Sequence, residues 1–175
     1  MQIYFSLCLA DMQASTLHVK TTAFNMGSNS VTIHRVIKTT PEKVYKAFTD
    51  PVAMASWLPP YGFLCEVHEL NPTVGGHYKA SFTNFSTGHK HSFGGKYLEV
   101  KPNEFLKYTD HFEHPRIPGE MSNSVWIKKV SAGTELKIVQ ENIPEMIPAD
   151  MCYLGWQESI EKLIKLVEPE IPDPF

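Results

Sequence analysis

The sequence predicts an α+β fold in which a curved antiparallel sheet of seven strands wraps around one long C-terminal helix, with two short helices between strands one and two. Three observations carry this reading. Residues 148–167 form the only long stretch of sustained helical periodicity, six β-like segments follow one another from Phe63 onward, and two proline-led helix starts lie just before that run.

Taken in order, residues 31–38 (VTIHRVIK) alternate apolar and polar side chains, with Val31, Ile33 and, after a slip in register, Val36 turned inward. Thr40-Pro41-Glu42 then offers an N-cap hydroxyl, a proline at the first helical position and an acid in the first turn. Val44, Ala47 and Phe48 make that helix's buried stripe. Asp50-Pro51 repeats the start signal for a second short helix carrying Val52, Met54 and Trp57, which Pro59-Pro60 ends. Further strands are expected at 63–70, 76–85, 90–100, 104–113, 121–130 and 134–141. Between them, Asn71-Pro72 with Gly75-Gly76, Thr87-Gly88, Pro102-Asn103, Pro118-Gly119 and Ala132-Gly133 supply turn or bulge chemistry. Short loops between successive strands favour an antiparallel meander, although 111–122, with two prolines and a glycine, is longer than a tight hairpin.

In 148–167, Tyr153, Trp156, Ile160, Leu163, Ile164 and Val167 recur at spacings of three and four and share one stripe, while Glu158, Glu161, Lys162 and Lys165 fall mostly on the other face. Glu158 with Lys162 and Glu161 with Lys165 are favourable i,i+4 pairs, and Pro169 blocks continuation. Such a helix is roughly 30 Å long, enough to cover the apolar face of a small sheet.

A chain of 175 residues with 42% hydrophobic and 20% charged content supports one ordinary domain, expected at 31–168. Residues 1–30 read as a weakly ordered extension and 169–175, with three prolines, as an extended tail. The apolar stretch 3–10 has no Lys or Arg before it and is too short to span a bilayer. Met26, just ahead of the first strand, is a candidate alternative start. A net charge of −3 and a pI near 6.2, without a Lys/Arg run, argue against a nucleic-acid binder. Cys8, Cys65 and Cys152 are odd in number, widely spaced and form no CxxC, so neither a disulfide framework nor a zinc cluster is suggested and a reducing cytoplasm is the simplest setting.

Several motifs in order carry a family resemblance. They are 40–51 (TPEKVYKAFTDP), Trp57-Leu58-Pro59 with Gly62-Phe63, 72–78 (PTVGGHY), 95–100 (GKYLEV), 133–136 (GTEL) and 155–160 (GWQESI). Together they resemble the START-like, helix-grip (SRPBCC) superfamily and, within it, the branch named for the activator of heat-shock-protein 90 ATPase homologue, over residues 31–167. The chain departs from that pattern at Leu58, where the family often has a second tryptophan, and at His77, where it often has arginine.

The resemblance implies an apolar pocket where the sheet cannot close completely on the helix. Strand alternation puts Tyr78, Ala80, Phe82 and Asn84 on one face, with Leu106, Tyr108, Asp110 and Phe112, then Val125 and Ile127, then Leu136, Ile138 and Gln140, all looking toward the Trp156 side of the last helix. The candidate ligand-binding set is Trp57, Phe63, Tyr78, Phe82, Phe93, Tyr108, Asp110, Val125, Ile138, Gln140, Gly155 and Trp156; ordinary core filling is the competing reading for all of them. Gly155 interrupts a helix at a cost of up to ~1 kcal/mol, which calls for either ligand clearance or close packing. Trp57 either closes the pocket mouth or anchors the second helix.

His89 and His91 share a strand face and His111 and His114 flank a turn, but no third ligand has a persuasive spacing, so no metal and no cofactor is assigned. There is no Gly-x-Ser-x-Gly, and a lone Cys65 or Cys152 reads as a small buried apolar residue. The first functional expectation is a non-enzymatic domain that binds a small hydrophobic, lipid-like or aromatic molecule. The alternatives are a chaperone-associated interaction domain, as the family name implies, and a small-molecule cyclase, dehydratase or hydrolase in which Asp110, Tyr78, Tyr108 or His91 does acid/base work.

Overall fold

The computed structural model describes residues 29–172, and the expectations for 1–28 and 173–175 lie outside them. Strand β1 (Val31–Ile37) leads into helices α1 (Pro41–Thr49) and α2 (Pro51–Trp57). Strands β2 (Phe63–Leu70), β3 (His77–Asn84), β4 (Lys90–Lys101), β5 (Phe105–Phe112), β6 (Met121–Val130) and β7 (Gly133–Glu141) follow, and α3 (Ala149–Val167) ends the order.

The strands make one antiparallel sheet in the order β1-β7-β6-β5-β4-β3-β2. From β2 to β7 each strand pairs with the next, and β1 joins β7 with Ile33 opposite Ile138. Register shifts at Val67/Glu69 and Tyr97/Glu99 add local twist and help curl the sheet. Gly95 is required by the close approach of β4 and β5: a Cβ there would lie 1.9 Å from the Thr109 carbonyl oxygen. The concave face holds α3, and α1 and α2 connect the two sheet edges.

Helix α3 is gripped unevenly. Its fully buried residues are Ser159, Ile160, Leu163 and Val167, all in the second half, where Ile160, Leu163 and Val167 join Ile33, Ile37, Leu106, Val125, Leu136 and Ile138 in the main core. Hydrogen bonds fasten the same half. Ser159 Oγ donates to the Leu58 carbonyl at 2.6 Å, the Tyr61 hydroxyl donates to Glu161 Oε2 at 2.6 Å, and Thr39 Oγ1 donates to the Val167 carbonyl at 2.7 Å. Around the first half a smaller cluster of Val31, Met121 and Ile143 packs against Ala149, Cys152 and Trp156.

Four local expectations are corrected. The β1 register has no slip, because its pairing with β7 is unbroken from Val31 to Ile37; Ile37 is buried and Val36 is 49% exposed. Thr40 sits at the N-cap of α1 but makes no side-chain cap bond, its hydroxyl bonding to Glu42 instead, whereas Asp50 does cap α2 by accepting from the Ala53 N–H at 2.8 Å. Val52 is exposed, since two residues before Met54 lies on the opposite side of a helix. Tyr153 is 39% exposed and Cys152 takes the inward place, four residues before Trp156.

Candidate functional site between the sheet and the C-terminal helix

The inward faces of β2 to β5 present a row of phenylalanines. Cross-strand pairing sets Phe82 opposite both Cys65 and His91, and Phe93 opposite Ala80 and Phe112. Ring centroids run 6.2 Å from Phe63 to Phe82, 4.6 Å from Phe82 to Phe93 and 6.4 Å from Phe93 to Phe112. These spacings suit tilted and edge-on aromatic contacts. Phe93 is buried, whereas Phe63, Phe82, Phe112 and Trp156 stay half-buried.

Deeper along the same face Tyr78, Tyr97 and Tyr108 form a buried triangle with centroids 5.5–6.0 Å apart. The Tyr78 hydroxyl donates to the Asp110 carboxylate, and burial followed by the nearby Asp110 charge holds the Tyr78 hydroxyl well above the ordinary tyrosine range. Asp110 itself is pushed up to about 7 by burial, against the opposing hydrogen bonds from Tyr78 and the His111 backbone N–H. The residue keeps some exposed surface, yet its Oδ1 is out of contact with solvent and has no hydrogen-bond partner.

The polar row continues across β6 and β7. Asn123 pairs with Tyr108 on one side and Gln140 on the other, is 1% exposed, and has an Oδ1 without a partner. Gln140 Oε1 accepts from Trp156 Nε1 at 3.1 Å, which ties the sheet to the first half of α3. On α3, Gly155, Ser159 and Lys162 fall on one stripe, which faces α2 through the Ser159 bond to Leu58. A Cβ added at Gly155 would meet nothing within 4 Å, so close packing does not explain that glycine. Lys162 is half-buried, and burial pulls its ammonium below the ordinary lysine range against the effects of Cys65 and Glu158. Burial also pushes the Cys65 thiol up to about 11, which keeps it protonated and poorly nucleophilic at neutral pH.

Of the residues expected from sequence, the structure brings together Phe63, Phe82 and Phe93 as one wall, Tyr78, Tyr108 and Asp110 as a second cluster, and Gln140 with Trp156 as a third. Val125 and Ile138 are fully buried in the main core. Trp57 takes the anchoring role: it is fully buried, its Nε1 donates to the Ala47 carbonyl at 2.8 Å, and its ring lies 4.7 Å from Phe48. Sequence reasoning missed Asn123, although carrying the Val125 and Ile127 alternation two residues back would have found it. Tyr97 and Ser159 were also missed; the bulge beside Tyr97 and the pairing of Ser159 with Leu58 leave no local signal. His89 and His91 lie in edge contact at 4.7 Å, and no group of three or more metal-ligating side chains occurs among the described residues. The convex face of the sheet carries separate grooves, one of about 400 Å³ lined by Glu69, His77, Lys79, Lys96, His111 and Glu113 among others. No described helix is long and apolar enough to cross a membrane.

A curled antiparallel sheet gripping a C-terminal helix, with two short helices joining its edges, defines a START-like protein of the helix-grip type. More narrowly, residues 38–168 match the model of the family described as Activator of Hsp90 ATPase homolog 1-like protein, and the chain belongs to that family. Among solved structures, a Chromobacterium violaceum protein is 50% identical, with 81% of this chain and 99% of that one aligned at a TM-score of 0.80. A Rhodobacter sphaeroides protein shares the fold at 21% identity, covering 81% and 93% of the two chains with a TM-score of 0.69. An Aeromonas hydrophila protein of the same named family does so at 17% identity, 79% and 92% coverage and a TM-score of 0.65. No curated protein matches the chain.

Proposed function

We propose that the protein binds a small hydrophobic molecule, aromatic or lipid-like, between the sheet and the first half of α3, and that it acts as a binding protein rather than an enzyme. One observation carries the reading: three half-buried rings of the concave face, Phe63, Phe82 and Phe112, look toward a helix whose first half, 149–158, carries the half-buried Trp156 and has no fully buried residue. Unburied aromatic surface on a concave face is what an apolar ligand stabilises, and a few polar groups within it fix orientation. The expected site therefore comprises Phe63, Phe82, Phe93, Tyr108, Asp110, Gln140, Gly155 and Trp156, with Tyr78 behind Asp110. Lys162 stands beside it on α3 and the cytoplasm remains the natural compartment.

Native mass spectrometry and thermal-shift screening against lipids, flavonoids and polyketides test this. A retained ligand that raises Tm supports it; no binding across the panel, with a dry interior in a ligand-soaked crystal, removes it. A chaperone partnership, suggested by the family description, has one structural feature in its favour. On the convex face Trp126 is exposed, its ring lies 5.3 Å from Phe105, and Lys137 stands 5.2 Å over it. Aromatic and cationic residues of this kind are favoured at protein interfaces. Failure of Trp126→Ala to reduce capture of the host's heat-shock protein 90, or no capture at all, would count against that role.

A further inference from the structure

We infer that the ligand carries a hydroxyl hydrogen-bond donor, and that Asn123 and Asp110 on the inward face of β5 and β6 receive it; the preferred class is a phenol-like aromatic rather than a hydrocarbon or an organic acid. This rests on the reading that the space beside α3 takes a small molecule. The observation beneath it is a pair of acceptors with nothing to accept. Asn123 Oδ1 and Asp110 Oδ1 are both shielded from solvent and both lack a partner, and Asn123 is 1% exposed.

Their placement makes them one feature. Tyr108 lies opposite Asn123 and Asp110 lies opposite Met121, so Asn123 and Asp110 are diagonal neighbours across the strand pair, on the same face. Gln140, directly across from Asn123, points to the same space, because its Oε1 meets the Trp156 indole of α3. Two nearby donors are already committed: the Tyr78 hydroxyl serves the Asp110 carboxylate and the Trp156 N–H serves Gln140. Buried acceptors left unpaired are costly, and in native proteins such groups nearly always find a partner. A hydrocarbon would leave both oxygens stranded, and a carboxylate would bring negative charge against Asp110. An alcohol or phenol supplies one O–H, which serves one of the two oxygens or is shared between them, while the aromatic rings of the wall receive its apolar body.

The test compares three probes of nearly equal size on the full-length protein by isothermal titration: 2-naphthol, 2-methoxynaphthalene and 2-naphthoic acid. Net hydrogen-bond energies in proteins lead to about tenfold tighter binding of 2-naphthol than of its methyl ether, with the acid weakest. In Asn123→Leu, which removes an acceptor at similar volume, the advantage of 2-naphthol falls to about threefold or less. Asp110→Asn, which keeps an acceptor oxygen and adds no charge, retains most of it, and Asn123→Ala, which removes the acceptor without added bulk, covers the case in which the leucine variant does not fold. Equal affinity for 2-naphthol and its ether in the unaltered protein overturns the donor inference while leaving the binding site in place. No binding of any probe or of the wider lipid and polyketide panel overturns both. Tighter binding of the acid contradicts the assignment of Asp110 to the ligand wall.

Discussion

Gly155→Ala offers a quantitative check on the space beside α3. Glycine within a helix is less favourable than alanine by up to ~1 kcal/mol, and that gain is realised only where the new methyl has room. At Gly155 a Cβ meets no atom within 4 Å, so no steric cost offsets it. The substitution should stabilise the ligand-free protein by about 0.5–1 kcal/mol, which for a domain of this size raises Tm by roughly 1–4 °C. Urea unfolding should show a higher midpoint with an unchanged slope. With a ligand bound, the gain should shrink or reverse, because the methyl then competes for the cleft. A loss of stability in the ligand-free protein would refute the reasoning, since it would mean that something packs against Gly155.

Gly95→Ala should behave in the opposite way: its Cβ would lie 1.9 Å from the Thr109 carbonyl oxygen, so the variant should lose several kcal/mol or fail to fold, as judged by the same denaturation curve. Leu163→Ala, at a fully buried position of α3, should cost ~2–5 kcal/mol without a specific effect on binding, whereas Trp156→Ala should reduce binding beyond what its stability loss explains. Asp110 has a folded-state carboxyl raised to about 7 from an ordinary 3.8, so between those values the folded chain binds more protons than the unfolded one and stability falls as pH rises. Asp110→Asn should therefore be more stable than the unaltered protein at pH 8, by no more than ~4 kcal/mol, with the advantage lost near pH 4; calorimetry at the two pH values would show a constant difference if the carboxyl were not perturbed.

Much of this architecture is legible in the sequence because its signals are local. Pro41 and Pro51 start helices at their first positions, the strand 121–130 is found with both ends correct, and the last helix begins one residue after the predicted Pro148. Turn chemistry does the rest: Asn103, at φ 65°, and Gly75, at φ 82°, sit where the Pro-Asn and Gly-Gly signals place turns. What the sequence hides is set by partners far along the chain. Trp57 suits either a pocket mouth or, better, a core anchor, and the Ala47 carbonyl and Phe48 ring decide for the core. Tyr153 and Cys152 are neighbours that both fit a helical stripe, and contact with Val31, Met121 and Ile143 selects Cys152. Asp110 stands on the expected face, but its unpaired Oδ1 and its relation to Asn123 depend on the β5–β6 register, which no single strand reveals.

The central claim concerns the space between the aromatic wall and the first half of α3, and the Trp156 indole N–H reports on it directly. The chain has three tryptophans in distinct settings: Trp57 is fully buried in the core, Trp126 is on the convex face, and Trp156 is hydrogen-bonded to Gln140 at the proposed site. In a ¹⁵N-labelled sample titrated with 2-naphthol, the account predicts a saturable shift of the Trp156 indole resonance, with those of Trp57 and Trp126 nearly unmoved. A shift confined to Trp126, or no saturable shift of Trp156 at any concentration, would contradict it.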